Sequence, residues 1–271
     1  MKVLVIMGSP RKGATYRATE QIKEVLQSRG TVDFEYLMLN DVDLSHCRGC
    51  FICFVKGEEH CPIKDEGQSI EKKMHDADAV IFASPVYGMN VSGLMKVFID
   101  RFSYIFHRPR FFDKKAFLLA TTGAVGLKEV LGYLRLVAST WGFDVVAEAG
   151  LITPPAGIPQ PASQKLDNDR ILQKATEKFH QSLMSGKRSS PSLQDVIVFR
   201  AQRAAFEEMG SYSPVDYAYW KEHGWFDRGM RFYVQVPVNP LYDAIGTVVE
   251  FVLRRRARKV FQEALKENVG R

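Results

Sequence analysis

The feature that most constrains the fold is the apolar run Lys2–Met7, which ends abruptly in a Gly8-Ser9-Pro10 turn. An amphipathic pattern over residues 15–29 follows it. A short apolar run bounded by a turn predicts a buried strand, and the longer pattern predicts a helix. Free backbone N–H groups and the positive end of the helix dipole favour an anion at such a helix N-terminus. The loop between the strand and the helix therefore predicts a phosphate site.

The alternation of strand and helix patterns continues to about residue 185. The predicted strands cover residues 2–7, 32–39, 79–83, 115–121 and 145–152, and the predicted helices cover residues 15–29, 66–74, 92–106, 127–141 and 163–185. Strands that alternate with helices of this length predict a five-stranded parallel sheet covered on both faces. Three of the strands end in glycine-containing loops. Such loops meet at the carboxyl edge of an open α/β sheet, where ligands bind.

The composition limits the class of protein. A chain of 271 residues with 46% hydrophobic content is expected to form one large globular domain or slightly more. Its apolar runs are all shorter than the roughly 20 residues that cross a bilayer, and the first is too short for the core of a signal peptide. We therefore expect a cytoplasmic protein. Four cysteines in that compartment are typical of metal ligands or reactive thiols.

The first loop does not carry a dinucleotide or triphosphate motif. Its glycines, Gly8 and Gly13, match neither G-x-G-x-x-G nor G-x-x-x-x-G-K-[ST]. A mononucleotide phosphate site in a sheet of strand order 2-1-3-4-5 remains, and FMN is the usual occupant of that site. The alternative is that Ser9 and Thr15 only cap the helix. The loop alone leaves both interpretations open.

Two further loops carry a family resemblance. The run Ser84-Pro85-Val86-Tyr87-Gly88-Met89-Asn90 follows the third strand, and Thr121-Thr122-Gly123-Ala124-Val125-Gly126 follows the fourth. Together with Gly8-Ser9-Pro10-Arg11, they resemble the NAD(P)H-dependent FMN reductase family of flavodoxin-like proteins over about residues 1–185. The resemblance implies a flavodoxin-like three-layer α/β fold and an FMN-dependent oxidoreductase that uses NAD(P)H.

The resemblance also implies which residues contact FMN. Those expected at the phosphate are Ser9, Arg11, Thr15 and Tyr16, with Gly13 and Ala14 of the same loop also in the cofactor site. Those expected at the isoalloxazine ring are Pro85, Val86, Tyr87, Gly88, Met89 and Asn90 on one side and Thr122, Gly123 and Gly126 on the other. One position departs from the family, because Thr15-Tyr16 stands where many members have Asn-Thr. Since the flavin carries the redox chemistry, we expect no catalytic acid–base side chain. Backbone N–H groups from Gly88 to Asn90 are expected to stabilise the anionic reduced ring.

All four cysteines lie within fifteen positions, at Cys47, Cys50, Cys53 and Cys61. A compact C-x2-C-x2-C run with a fourth cysteine nearby suits an iron–sulfur cluster. The pattern resembles the motif of the iron–sulfur flavoproteins, a branch of the same family in which it ligates a [4Fe–4S] cluster. Zinc is disfavoured because structural zinc usually takes two separated pairs. Thiols without a cluster remain an alternative, and His46 and His60 are interpreted as solvated loop residues.

Residues 186–271 form a second predicted domain, a mainly helical extension outside the resemblance. Predicted helices cover residues 193–209 and the segment after Pro240, and aromatic residues are dense between them. The last helix is predicted to carry an apolar stripe, made of Leu241, Ile245, Val248, Val249, Val252, Val260, Phe261 and Leu265. Packing on residues 1–185 or across a homodimer or homotetramer is the favoured interpretation. Peripheral membrane contact by residues 240–271 is less favoured, and nucleic-acid binding is least favoured.

Two classes of function stay open at this point. The first is an FMN-dependent oxidoreductase with a small-molecule or protein electron donor and acceptor. The second is a non-catalytic flavodoxin-type electron carrier, which is expected to be acidic for docking on basic partners. The formal charge of +6 favours the first. A further hypothesis places Trp220 and Trp225 over the flavin of a partner subunit.

Overall fold

The computed structural model describes residues 1–155 and 157–269, with side chains as far as residue 260. The chain forms two compact units. The first contains Met1–Arg48, Ile63–Ser103 and Arg110–Lys187; the second contains Gly49–Pro62, Tyr104–Pro109 and the residues from Arg188 onward.

The first unit is built on a parallel sheet of strand order β2-β1-β3-β5-β6. The strands are β1 (Lys2–Met7), β2 (Asp33–Met38), β3 (Ala79–Tyr87), β4 (Asn90–Val91), β5 (Lys115–Thr122) and β6 (Asp144–Ile152). The two-residue β4, which the sequence pattern did not predict, pairs antiparallel with the end of β3. The remaining strands confirm the predicted flavodoxin-like order and class.

Helices cover both faces of this sheet. They are α1 (Ala14–Gln27), α3 (Gly67–Asp76), α4 (Gly93–Arg101), α5 (Leu127–Thr140) and α6 (Ala162–Ser185). On one face, Val5 of β1 and Phe117 of β5 lie in a buried cluster with Ile22 of α1 and Phe179 of α6. On the other face, the ring of Phe82 lies 6.2 Å from that of Trp141. Burial on both faces explains why these strands read as continuous apolar runs.

The second unit contains α2 (Ile52–Val55), α7 (Leu193–Glu208), α8 (Pro214–Glu222), α9 (Pro240–Val269) and a short 3-10 helix, Glu58–His60. Helix α9 packs against α7 through a buried ion cluster. Glu250 accepts hydrogen bonds from Arg200 at 2.9 Å and from Arg203 Nε at 3.0 Å. Burial by itself would raise the pKa of Glu250, but the hydrogen bonds from Arg203 and Arg200 outweigh it and the pKa is lowered.

The predicted apolar stripe of the last helix forms only part of its packing face. Leu241, Val248, Val252 and Val260 are exposed, Ile245 and Val249 are half-buried, and Gly246 and Glu250 contact α7. The reason is that the two arginines of α7 require a carboxylate partner when they are buried. Phe261 and Leu265 lie outside the described side chains. Within the described residues, no helix has the length and apolarity to span a membrane. The membrane-surface and oligomer interpretations stay predictions.

The hypothesis for the two tryptophans is wrong. Trp220 and Trp225 are 0% and 2% exposed, so neither ring is available to cover the flavin of another subunit. The indole N–H of Trp220 donates to the carbonyl of His107 at 2.7 Å, and that of Trp225 donates to the carbonyl of Tyr233 at 2.9 Å. Both rings lie in the core of the second unit.

Candidate functional site

The loops after β1 and β3 are joined at the carboxyl edge of the sheet. The Gly8 N–H donates to the carbonyl of Ala83 at 2.8 Å, and Ser92 Oγ donates to the carbonyl of Gly8 at 2.6 Å. A Cβ on Gly8 would stand 2.9 Å from Ser92 Oγ and 3.0 Å from Met95 Cβ. A glycine is required here because two backbone segments approach each other closely.

The first loop leaves the N-terminus of α1 open. Gly13 is the N-cap residue, and no side chain caps the helix. Ser9 Oγ donates instead to the carbonyl of Arg11 at 2.8 Å, and Thr15 Oγ1 lies 2.6 Å from Thr121 Oγ1. The capping interpretation of Ser9 and Thr15 is therefore wrong, and the first-turn N–H groups have no side-chain acceptor competing with an anion.

The second loop is a tight hairpin between β3 and β4. Tyr87 pairs with Asn90, and the two residues between them have positive φ angles, 54° at Gly88 and 65° at Met89. Two successive residues in this region are typical of a type I′ turn. The turn leaves Tyr87 and Met89 about half exposed, at 46% and 50%. An aromatic ring and a thioether are thus available beside the site.

The third loop contacts the second through Gly126. This residue has a φ of 93°, and a Cβ placed on it would stand 2.6 Å from Val86 Cγ1. Within the loop, Thr122 Oγ1 donates to the carbonyl of Val125 at 2.6 Å. Gly126 therefore allows the loops after β3 and β5 to lie against each other.

These loops enclose a cavity of about 750 Å³ in the first unit. Ten of the predicted FMN residues line it, namely Ser9, Arg11, Gly13, Ala14, Thr15, Pro85, Val86, Tyr87, Thr122 and Gly123. Tyr16, Gly88, Met89, Asn90 and Gly126 are not among its lining residues. The ring of Tyr16 lies 5.2 Å from that of Tyr36, which explains how it leaves the cavity although Thr15 faces it.

The prediction missed a fourth part of the wall. Thr153, Pro154 and Pro155 follow β6 and line the cavity, together with Lys165 and Asn168 of α6. The sequence did contain a signal for this wall, because the rule that ligands bind at the carboxyl ends of strands applies to the last strand as well. The described lining also includes the cations Arg11, Lys12, Arg17 and Lys165 and the carboxylate Asp169.

The cysteine segment begins in the first unit and continues in the second. None of the four thiols is in a disulfide; Cys47 and Cys50 are exposed, and Cys53 and Cys61 are half-buried. Among the residues that the structure describes, no three histidine, cysteine or acidic side chains are grouped as a metal site. The donor set itself, four thiols at close spacing, fits the chemistry of an iron–sulfur cluster.

The model of one protein family, described as NADPH-dependent FMN reductase, matches residues 1–155. The chain belongs to the NADPH-dependent FMN reductase family. The predicted family is thereby confirmed, and the protein is an FMN-dependent NAD(P)H oxidoreductase. Its cavity fits the cofactor, since a cationic end with an uncapped helix N-terminus suits a phosphate and Pro85, Val86 and Tyr87 offer an apolar wall to a ring.

Relatives of this FMN reductase chain match it over most of its length. An iron–sulfur flavoprotein of Archaeoglobus fulgidus is 32% identical over 232 residues, which cover 83% of this chain and 99% of that protein. An iron–sulfur flavoprotein of Clostridioides difficile is 31% identical over 235 residues, with the same coverage of 83% and 99%. The crystal structure of RosB with bound 8-demethyl-8-formylriboflavin-5'-phosphate has a TM-score of 0.56 at 16% identity, covering 68% of this chain and 79% of RosB. The last likeness supports the fold alone.

Proposed function

We propose that this oxidoreductase holds FMN in the cavity of the first unit and a [4Fe–4S] cluster on Cys47, Cys50, Cys53 and Cys61. The observation that carries the proposal is the C-x2-C-x2-C run with a fourth cysteine eight residues on, in a chain whose relatives over 83% of its length are named iron–sulfur flavoproteins. When bound, FMN exchanges electrons in pairs or singly and a cluster exchanges them singly, so together they would convert hydride equivalents into single electrons.

The residues of the chain contribute binding and orientation. The N–H groups at the start of α1 and the side chains of Arg11 and Lys12 offer charge and hydrogen bonds to a phosphate. A role for the backbone N–H groups of Gly88 to Asn90 at the ring stays a prediction, because Pro85, Val86 and Tyr87 line the cavity and these three residues do not. Small-molecule or protein donors and acceptors remain the proposed partners, with NAD(P)H as the co-substrate.

Metal and flavin content test the cluster directly. After purification without oxygen, we expect about four irons and four sulfides per chain beside one FMN. Cys50→Ser and Cys53→Ser should lose iron and keep FMN, because the flavin cavity has no cysteine in its lining. His46→Ala is the matched control, since it changes an exposed neighbour of Cys47 that is not a proposed ligand. Wild-type protein that stays free of iron after anaerobic reconstitution would contradict the cluster and leave the flavin assignment intact.

Turnover with a two-electron and a one-electron acceptor tests the relay. NADPH and NADH oxidation should proceed with both quinone and ferricyanide. Cys53→Ser should lower the rate with the one-electron acceptor ferricyanide by about tenfold or more, because electrons can no longer leave singly through the cluster. The rate with quinone, a two-electron acceptor, should change much less. Equal losses with both acceptors would count against the relay.

A further inference from the structure

One buried arginine contacts the cysteine segment at two points. Arg108 is 2% exposed. Its Nη2 donates to the carbonyl of Cys53 at 2.9 Å and to Glu58 Oε2 at 2.7 Å. Its Nη1 forms an ion pair with Asp216, which is 0% exposed. A guanidinium tolerates burial only when its donors are satisfied, so this set of partners defines its position closely.

One contact lies at the third cysteine, and the other lies within the interval between the third and fourth cysteines. Cys53 is the third cysteine. Glu58 is the first residue of the 3-10 helix Glu58–His60, and Cys61 follows that helix directly. The Cys61 N–H donates to the carbonyl of Glu58 at 3.0 Å. Arg108 therefore holds the segments of both cysteines with one planar group.

The same arginine is held by the C-terminal extension. Asp216 of α8 also lies 2.7 Å from Nδ1 of His107 and bonds Ser213. The ring of His107 stacks on that of Phe54 with 4.1 Å between their centroids, and Phe54 is the residue after Cys53. Ser213 Oγ lies 3.3 Å from the carbonyl of Phe54. The extension thus reaches the cysteine segment both directly and through residues 107–108.

Three more side chains of the extension hold the backbone that carries Arg108. They donate to three carbonyls in the segment Tyr104–Pro109: Gln202 to Phe106 at 2.6 Å, Trp220 to His107 at 2.7 Å and Tyr219 to Pro109 at 2.8 Å. Three hydrogen bonds to the carbonyls of a six-residue segment hold its backbone in place, and the backbone in turn sets the position from which the Arg108 side chain extends.

We infer that Arg108 is a positioning residue for the ligands Cys53 and Cys61, and that the C-terminal extension is the framework that holds it. The inference rests on the proposed cluster. Hydrogen bonds to cluster ligands and nearby charges tune both retention and potential, so this group would act on both. It gives the residues beyond 187 a role in the electron-transfer site.

Cluster retention under a chelator is the first test. Arg108→Gln should lose iron about tenfold faster than wild type, because outer partners of metal ligands typically contribute that much. Arg110→Gln is the matched control: it removes an Arg–Glu pair of 2.7 Å two residues away, within the first unit. FMN content should stay at the wild-type level in both variants. Iron loss at the wild-type rate in Arg108→Gln would overturn the inference.

The reduction potential distinguishes positioning from general support of the fold. Glu58→Gln removes a negative charge beside Cys53 and should raise the cluster potential, whereas Arg108→Gln removes a positive charge and should lower it. Arg108→Lys keeps the charge, so its cluster potential should be close to that of wild type. Its iron retention should lie between those of wild type and Arg108→Gln, because an ammonium lacks the planar donors that bond the Cys53 carbonyl and Glu58 together. Unchanged potentials in both the Glu58→Gln and Arg108→Gln proteins would contradict the inference, and Glu58→Gln serves if Arg108→Gln does not fold.

Hydrogen exchange in cluster-free protein tests the role of Arg108 independently of the proposed cluster. In protein freed of iron, residues 49–62 should exchange faster in Arg108→Gln than in wild type, because the anchor of the segment is gone. A wild-type chain without a cluster that still shows this difference would refute the proposed relay and retain the anchor. If wild type binds a cluster but residues 49–62 exchange equally fast in cluster-free wild type and cluster-free Arg108→Gln, the positioning role of Arg108 is refuted and the cluster stands.

Discussion

The hydroxyl of Ser9 shapes the loop at the proposed phosphate site. Ser9 is 4% exposed and lines the cavity. Its bond to the carbonyl of Arg11 at 2.8 Å closes the turn that brings Arg11 and the start of α1 to the same end of the cavity. A hydroxyl can accept a further bond while it donates this one. The side chain can therefore shape the loop and still accept a bond from a ligand in the cavity.

Replacing Ser9 with alanine should weaken FMN binding. We expect the dissociation constant to rise about tenfold, which corresponds to roughly one lost hydrogen bond. Fluorescence titration of the FMN-free protein measures the change. Ser28→Ala is the control, because it removes a bond of the same length, 2.8 Å to the carbonyl of Val25, at the far end of α1. Equal affinities in the wild-type and Ser9→Ala proteins would argue against this placement of the phosphate.

At the scale of elements, the proposed flavin cavity depends on loops that touch one another. Gly8 lets the loop after β1 approach β3, and Gly126 lets the loop after β5 approach Val86. Thr15 and Thr121 then link α1 to the end of β5. Each loop is anchored on a strand and forms part of the cavity wall. A substitution at one of these contacts is therefore expected to change the shape of the cavity.

Two glycine-to-alanine substitutions near α5 should have opposite effects. Gly126→Ala should lower the free energy of unfolding by about 1–3 kcal/mol and reduce FMN affinity, because the φ of 93° disfavours alanine and the new Cβ would clash with Val86. Gly132→Ala lies in the middle of α5 with nothing within 4 Å, and it should stabilise the protein by about 0.5–1 kcal/mol. Urea unfolding and FMN titration measure both. If Gly126→Ala and Gly132→Ala change the free energy of unfolding and the FMN affinity alike, the role of Gly126 in the close contact with Val86 is refuted.

At the scale of the whole molecule, each unit holds a carboxylate in a buried ion cluster. In the first unit, Asp65 accepts hydrogen bonds from Arg101 at 2.8 Å and from the N–H groups of Gly67 and Ser45 at 3.0 Å. Burial opposes the charge on Asp65, but these bonds prevail and the pKa is lowered. In the second unit, Glu250 has a lowered pKa for the corresponding reasons.

Both units should therefore lose stability in acid. A carboxylate whose folded pKa lies below its unfolded value stabilises the fold above the unfolded pKa, about 4, and this contribution is lost as the pH falls through the folded pKa. Urea midpoints measured between pH 7 and pH 2.5 should fall most steeply below about pH 4. Asp65→Asn and Glu250→Gln should each be destabilised at pH 7 by about 3–5 kcal/mol and show a flatter acid dependence. An acid dependence as steep as that of wild type in both variants would contradict this assignment.

The amino-acid sequence alone determined the alternating strands and helices and the three loops at the sheet edge, because apolar periodicity and Gly-Pro turns are local properties. The strand order followed from the resemblance of those loops to a known fold. The sequence also placed all four cysteines in one segment. Only the tertiary structure decided that Tyr16 faces Tyr36 and that Glu250 meets the arginines of α7. Arg108 shows the reason most clearly: its partners Cys53 and Asp216 lie 55 and 108 positions away in the chain. Contacts at such separations leave no periodic pattern, since packing and charge compensation in the folded protein select them.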